Sequence, residues 1–278
     1  MKKFENIIIA SDLDGTFLAD NIKEVPRNVE KIKYFTDNGG TFTFATGRIG
    51  VHVMRALPNS ANYVNCPIVS CNGMALFDLS RGKTVRQSLF SAELISETVD
   101  FLYGRYPNAF YRIMTPVGVV YFQPENRFAI REKAENTVDY IYTEPSEINK
   151  LEIYKLTLRD TPEVLEEIKA VVEERFGDTF DICRSWSSLM ELMPRGYSKA
   201  VLLSELRDEL SASGVRKTLY AVGDYENDLE MLRAADVAVC PANAMDKVKA
   251  VCDLCLCDNN SGVIADLIDT LAQSSAAI

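Results

Sequence analysis

The sequence predicts an α/β chain whose core is a doubly wound parallel sheet, with an α+β module inserted into it. Three observations carry this reading. Short β-branched apolar runs alternate with helical patterns over residues 6–73. Between about Lys83 and Leu189 the rhythm changes to strands in succession, with two or three helices among them. Near Ser198 the strand-then-helix alternation returns, as a parallel sheet with crossover helices requires.

The first arm reads in order. Residues 6–10 form a β-branched run ending at Ser11-Asp12, the pattern of a strand buried on both faces. The turn Asp14-Gly15-Thr16 follows. Pro26 opens a helix with Val29, Ile32 and Phe35 spaced three apart, and Gly39-Gly40 closes it. A second strand covers 41–45 and ends at Thr46-Gly47. A helix is expected over 50–57, then a third strand over 67–70 and the turn Asn72-Gly73.

Within the module, strands are expected over 85–90, 109–115, 118–123, 151–158 and 179–185. The clearest helix follows Thr161, which can cap it. Pro162 suits the first turn, and Val164, Leu165, Ile168, Val171, Val172 and Phe176 make one apolar face. The second arm holds a helix over 199–210, a strand over 218–222 ending at Gly223-Asp224, and a short helix through Met231-Leu232. A strand over 237–240 and a helix over 263–271 complete it, and the tail 272–278 is expected to fray. The expected division is a core of residues 1–82 and 190–278 around an inserted module of 83–189.

Composition narrows the function. With 278 residues, 47% of them apolar, the chain can bury a large core. A net charge of -10 and the lack of a basic stripe argue against a nucleic-acid partner. A small anion remains compatible, because charge near a bound metal can oppose the global field. The seven cysteines are odd in number and irregular in spacing, as in reduced cytosolic proteins. Cys252, Cys255 and Cys257, with His52 the sole histidine, fall short of a structural zinc set; they read as thiols on a strand or its flank. The start Met1-Lys2-Lys3 lacks the apolar run of a signal peptide, and no stretch reaches membrane-spanning length, so a cytoplasmic location is expected.

Four stretches could do chemistry, and three follow directly on an apolar strand, where parallel sheets bind ligands. In Asp12-Leu13-Asp14-Gly15-Thr16 two carboxylates point the same way and would repel without a shared cation. Mg²⁺ suits such oxygen ligands, and the amides of a glycine turn can face an anion. Ala45-Thr46-Gly47-Arg48 offers a hydroxyl and amides to a phosphate oxygen. Lys199 begins a helix, the unfavourable end for a cation unless it faces an anion. Gly223-Asp224-Tyr225-Glu226-Asn227-Asp228 packs three acids and an amide into five positions, which also asks for a cation.

In this order the stretches resemble the haloacid dehalogenase (HAD) superfamily, and more narrowly its Cof-type phosphatases, which carry a large cap inserted between the second and third motifs. Ser198-Lys199, Met231-Leu232, Ser70-Cys71-Asn72-Gly73 and Asn243-Ala244 add to the match. The resemblance implies a Rossmann-like core, an α+β cap that sets specificity, and a small phosphorylated metabolite as substrate. It implies Asp12 as nucleophile and Asp14 as the acid that protonates the leaving oxygen and then activates water. Asp14 would need to be neutral before the first step. It further implies Mg²⁺ held by Asp12, the Asp14 carbonyl and Asp224. Thr46, Gly47, Lys199 and Asn227 would grip the phosphate, with Asp228 and Arg48 in support. Possible cap contacts are Arg112, Tyr121, Arg184 and Trp186, although core packing is the first expectation for Trp186. His52 reads as an ordinary helix residue. Two other readings share the motifs: a sugar phosphomutase and a non-catalytic phospholigand-binding module.

Overall fold

The structure is a computed structural model that describes residues 2–135, 140–211 and 214–274. The last four residues of the tail expected to fray lie outside that range. No helix among the described residues is long and apolar enough to cross a membrane.

The first arm contains β1 (Ile7–Ser11), α1 (Pro26–Asp37), β2 (Thr41–Phe44), α2 (Gly50–Ala56), β3 (Ile68–Ser70), β4 (Ala75–Asp78) and β5 (Lys83–Gln87). Next come α3 (Ala92–Tyr103), β6 (Phe110–Met114), β7 (Val119–Tyr121), α4 (Arg127–Glu135), β8 (Tyr140–Tyr142), β9 (Lys155–Arg159), α5 (Pro162–Phe176), β10 (Phe180–Trp186) and β11 (Leu189–Pro194). The second arm contains α6 (Lys199–Leu210), β12 (Thr218–Val222), α7 (Leu229–Ala234), β13 (Val237–Pro241), α8 (Asp246–Lys249), β14 (Leu254–Leu256) and α9 (Val263–Ser274).

The core sheet runs β14-β13-β12-β1-β2, every pair parallel. A parallel bridge between Ala45 and Val69 carries it on to β3, from which β4 and β5 continue antiparallel. β1 is thus central and nearly all buried, which is why its sequence is an unbroken apolar run. On one face α1 packs against α9, burying Ile32, Phe35, Ile264, Leu267 and Ile268 at about 1.5–3 kcal/mol for each side chain. On the other face α6 and α7 bury Leu203, Leu206, Met231 and Leu232 against Ile8, Ala10 and Ala221. The chain leaves β1 to one side for β2 and reaches it from the other through β12. That reversal puts Asp12, Thr46 and Asp224 at neighbouring strand ends.

The inserted elements form a six-stranded sheet, β10-β11-β9-β6-β7-β8, with α3 and α5 covering one face. Ser91 and Thr161 cap these helices by accepting from the amides of Leu94 and Val164. Leu165, Ile168 and Val172 of α5 are buried as its apolar stripe requires, with Val164, Val171 and Phe176 packed beside them.

Several expectations need correction. The strand expected at 85–90 is β5, and it extends the core-side ladder instead of joining the module's sheet. The strand expected at 151–158 begins only at Lys155. Ile153 instead bridges Phe90 where the chain enters the module, so its apolar character serves a crossing rather than a ladder. β4 and β11 were not expected, and β11 lies in the module's sheet. By sheet membership β5 lies in the ladder with β3 and β4, and β11 lies in the six-stranded sheet. Trp186, expected to pack in a core, is 57% exposed at the end of β10.

Candidate active site

Three neighbouring strand ends build the site. β1 delivers Asp12, whose amide donates to Val222 O at 2.9 Å and so registers it against β12. β12 delivers Gly223-Asp224, and β2 continues through Ala45 to Thr46. The first residue of α6, Lys199, reaches back into the same space. Its Nζ donates to Asp12 Oδ1 at 2.6 Å and to Asp228 Oδ1 at 2.7 Å. Lys199 is 1% exposed and Asp228 is fully buried. The placement of a cation at a helix N-terminus, unfavourable for the dipole, is thereby explained by its two carboxylate partners.

Asp12, Asp224 and Asp228 each present an oxygen within 4.8 Å of the others. Set against one ammonium, three carboxylates leave two negative charges in a buried space, and the nearby Asp14–Arg48 pair is neutral as a unit. A divalent cation would cancel that excess, and carboxylate oxygens suit a hard ion such as Mg²⁺. Asp228 is committed on both sides: Oδ1 accepts from Lys199, and Oδ2 accepts from the amides of Asp224 (3.0 Å) and Tyr225 (3.3 Å). It shapes the loop, leaving Asp12 and Asp224 as the side chains better able to hold an ion.

The charges bear on one another. Burial, reinforced by Asp228, Asp224 and Asp14 and opposed by Lys199, pushes the Asp12 carboxyl well above the usual carboxylate range. Asp224 is pushed up to about 7 by burial first and by Asp228, against the Thr16 hydrogen bond and Lys199. Burial alone would lower Lys199, but Asp12 and Asp228 outweigh it and hold the ammonium above an ordinary lysine.

Thr16 donates to Asp224 Oδ1 at 2.6 Å, a contact across 208 residues that the motif reading did not single out. Gly15 has φ +82°, and a Cβ there would lie 2.4 Å from Asp224 Oδ2, so only glycine lets the loop close over this carboxylate. Asn243, in the loop after β13, donates from Nδ2 to Gly15 O at 2.8 Å and so pins the turn. Gly73, at φ +97°, makes room for Ser198 O, which would sit 2.1 Å from a Cβ.

The other residues singled out in the sequence fall as follows. Thr46 is buried, and its Oγ1 accepts from the Arg48 amide at 3.1 Å. Gly47 adjoins it. Asn227 lies half-buried in the single turn Glu226–Asp228 beside Asp224. Arg48 forks onto Asp14, Nε to Oδ2 at 2.8 Å and Nη2 to Oδ1 at 2.5 Å. His52 is buried on α2. Of the cap residues, Tyr121 packs edge-on with Phe110, Tyr140 and Tyr142, and Arg184 pairs with Glu166 and with the carbonyls of Pro162 and Ser187. Arg112 lies half-buried on β6. Cys255 lies on β14, with Cys252 and Cys257 flanking it.

Comparison with known proteins agrees with this geometry. A family model for haloacid dehalogenase-like hydrolases matches residues 9–268. The chain is 26% identical over 249 residues to an HMP-PP phosphatase of Yersinia pestis, covering 87% of this chain and 86% of that one. A HAD/COF-like hydrolase from Plasmodium vivax superposes with a TM-score of 0.83 at 21% identity, over 98% of this chain and 97% of that one. The HAD subclass IIB sugar phosphatase BT4131 superposes with a TM-score of 0.78 at 18% identity, over 96% and 99% of the two chains. The chain belongs to the haloacid dehalogenase-like hydrolases.

Proposed function

We propose that this phosphatase hydrolyses a small phosphorylated metabolite through an aspartyl-phosphate on Asp12, with Mg²⁺ as cofactor. The observation that carries the reading is the buried cluster of Asp12, Asp224 and Asp228, with Lys199 bonded to Asp12 and Asp228 and Thr46 at the end of the neighbouring strand β2. The two named relatives, one a sugar phosphatase and one an HMP-PP phosphatase, support a small phosphorylated substrate.

Asp12 attacks phosphorus in line with the leaving oxygen, and that P–O bond breaks. Lys199 holds Asp12 in one orientation, and Thr46, Gly47, Lys199 and Asn227 bind the non-bridging oxygens. Asp14 gives its proton to the leaving alkoxide, then takes one from the water that cleaves the acyl phosphate. In the present arrangement both Asp14 oxygens accept from Arg48. Asp14 therefore has to turn away from Arg48 before it can act as the acid. Asp12, the Asp14 backbone carbonyl and Asp224 would hold Mg²⁺, which when bound supplies positive charge against the phosphoryl oxygens and Asp12. The inserted module serves as a lid that excludes bulk water and presents side chains to the leaving group.

The direct test is hydrolysis of p-nitrophenyl phosphate by the purified chain in Mg²⁺ buffer. Activity that vanishes with a chelator and returns with Mg²⁺ is expected; activity indifferent to the chelator contradicts the metal assignment.

Two further outcomes follow from the carboxylates. Because the fold holds the Asp224 carboxyl at about 7, above its ordinary value of 3.8, protonation of this group stabilises the metal-free fold. That stabilisation is complete below the ordinary value and is lost as pH rises through about 7. One fixed Mg²⁺ concentration, 100 times the Kd at about pH 8, should therefore raise Tm more at about pH 8 than at about pH 5. The rise at 100 times Kd should be roughly 5–10 °C, from about 2.7 kcal/mol of binding linkage. Equal Mg²⁺ shifts at both pH values would refute the role of Asp224. The second concerns Gly15→Ala, which forces a Cβ onto Asp224 in a left-handed turn. It should weaken apparent Mg²⁺ affinity by about tenfold or more and cost about 1–2 kcal/mol of stability. A Mg²⁺ titration of activity, with a melting curve, reads both.

A further inference from the structure

Three consecutive carbonyls leave the end of β2. Thr46 O accepts from the Asn72 amide and Arg48 O from the Cys71 amide, both at 2.9 Å. The carbonyl between them, Gly47 O, is held differently: it accepts from Lys155 Nζ of β9, at 3.1 Å. Lys155 is a charge set within a run of apolar strand residues and is 1% exposed. It pairs with Glu191 of β11, itself buried, and Glu191 also accepts from Asn72 Nδ2 and Ser185 Oγ. The arrangement closes over Gly47, where a Cβ would come within 3.1 Å of Asn72 Oδ1 and 3.6 Å of both Glu191 Oε1 and Lys155 Nζ.

A buried ion pair is costly to desolvate and is weak evidence for stability in its own right. Its geometry points elsewhere. Gly47 C=O and Arg48 N–H belong to one planar peptide unit and point in opposite directions. The Arg48 N–H donates to Thr46 Oγ1. An ammonium on Gly47 O therefore fixes this peptide plane and polarises its N–H, which strengthens the bond to Thr46 Oγ1. With that oxygen engaged as an acceptor, the Thr46 hydroxyl proton is left to point towards an anion.

We propose that Lys155 of the inserted module is a positioning residue for the Thr46 hydroxyl, acting through the Gly47–Arg48 peptide, with Glu191 and Asn72 holding its ammonium in place. This rests on the reading of Thr46 as a phosphate ligand. It implies that the phosphate site is complete only when the module's sheet is seated on the core. The carboxylates that would hold the cation, Asp12 and Asp224, follow β1 and β12, whereas Lys155 donates to Gly47 O and Glu191, so metal binding should not depend on it.

The test is orthophosphate binding to the Mg²⁺-loaded protein, by calorimetry, in wild type, Lys155→Met, Thr46→Ala and the double variant. Each single change should weaken orthophosphate by about tenfold, the size of a lost hydrogen bond to a charged group. In the Thr46→Ala background Lys155→Met should have no further effect, because its path ends at that hydroxyl. Lys155→Arg should restore most of the affinity, and the Mg²⁺ shift in Tm should match wild type throughout. Should Lys155→Met not fold, Lys155→Met/Glu191→Gln leaves no unpaired buried charge and takes its place. Fully additive losses, an unchanged affinity in Lys155→Met, or a lost Mg²⁺ response would overturn the proposal. Failure of the wild type to hydrolyse p-nitrophenyl phosphate would sink the phosphatase reading alone, since orthophosphate binding needs no turnover.

Discussion

Asp12→Asn should abolish turnover, by at least about 10⁴-fold in kcat, while leaving a folded protein. The amide keeps the size of the carboxylate but is a poor nucleophile, so no acyl phosphate forms. The fold should tolerate the change for an electrostatic reason. Asp12 shares a buried space with Asp224 and Asp228, and its ionised form is disfavoured there. Removing one negative charge relieves the metal-free site, and Lys199 keeps Asp228 as a partner. The metal-free variant should therefore melt no lower than wild type, while its Mg²⁺-induced rise in Tm shrinks. Steady-state assays with two melting curves separate these effects. Turnover near the wild-type rate would remove Asp12 from the mechanism.

Lys199→Met should be the most damaging single change to stability and activity together. Its Nζ is bonded to both Asp12 and Asp228, each nearly or wholly buried. Without it three carboxylates face one another, with no ammonium bonded between them. Breaking a buried pair in this way costs about 3–5 kcal/mol in the metal-free protein. Activity should fall by about 10²–10³-fold, as expected when a donor to the developing phosphoryl charge is lost. The sign of the metal response sharpens the test. Mg²⁺ would then take over the charge that Lys199 had balanced, so it should recover a larger share of stability than in wild type. A variant as stable as wild type without metal would contradict the charge balance drawn here.

The α/β arms were legible because the central core strands, β1 and β2 above all, are short, buried on both faces and bounded by turn residues. The run Ile7–Ser11 followed by Asp12-Leu13-Asp14-Gly15-Thr16 declares a strand, its end and a turn within ten residues. The positions of Asp12, Thr46 and Asp224 followed, since residues just past neighbouring parallel strands must converge. The inserted module was harder to read. Its strands pair mostly antiparallel, in an order far from that of the chain, so 151–158 read as one strand when Ile153 in fact serves a crossing with Phe90. Trp186 misled for a related reason: its size favours burial, but its strand ends at an edge.

Within the site, what escaped the motif reading is what depends on contacts distant in sequence. Thr16 sits inside a motif, yet its bond to Asp224 spans the whole inserted module. Arg48 was read as a support to the phosphate grip, and only the fold brings it onto Asp14. Lys155 and Glu191 did carry a signal. Each is a single charge within an apolar strand, in Tyr154-Lys155-Leu156 and Met190-Glu191-Leu192, and two such charges of opposite sign invite pairing. Their contact with Gly47 was beyond reach, because no local pattern fixes how the module's sheet meets the core.

The claim on which the account turns is that Asp12 and Asp224 share one divalent ion. A crystal of the protein grown with Mn²⁺ in place of Mg²⁺, measured at a wavelength where manganese scatters anomalously, tests it most directly. A single strong anomalous peak touching both carboxylates, and lost in Asp12→Asn, is the expected result. A peak bound elsewhere, or none at a concentration that supports activity, would contradict it.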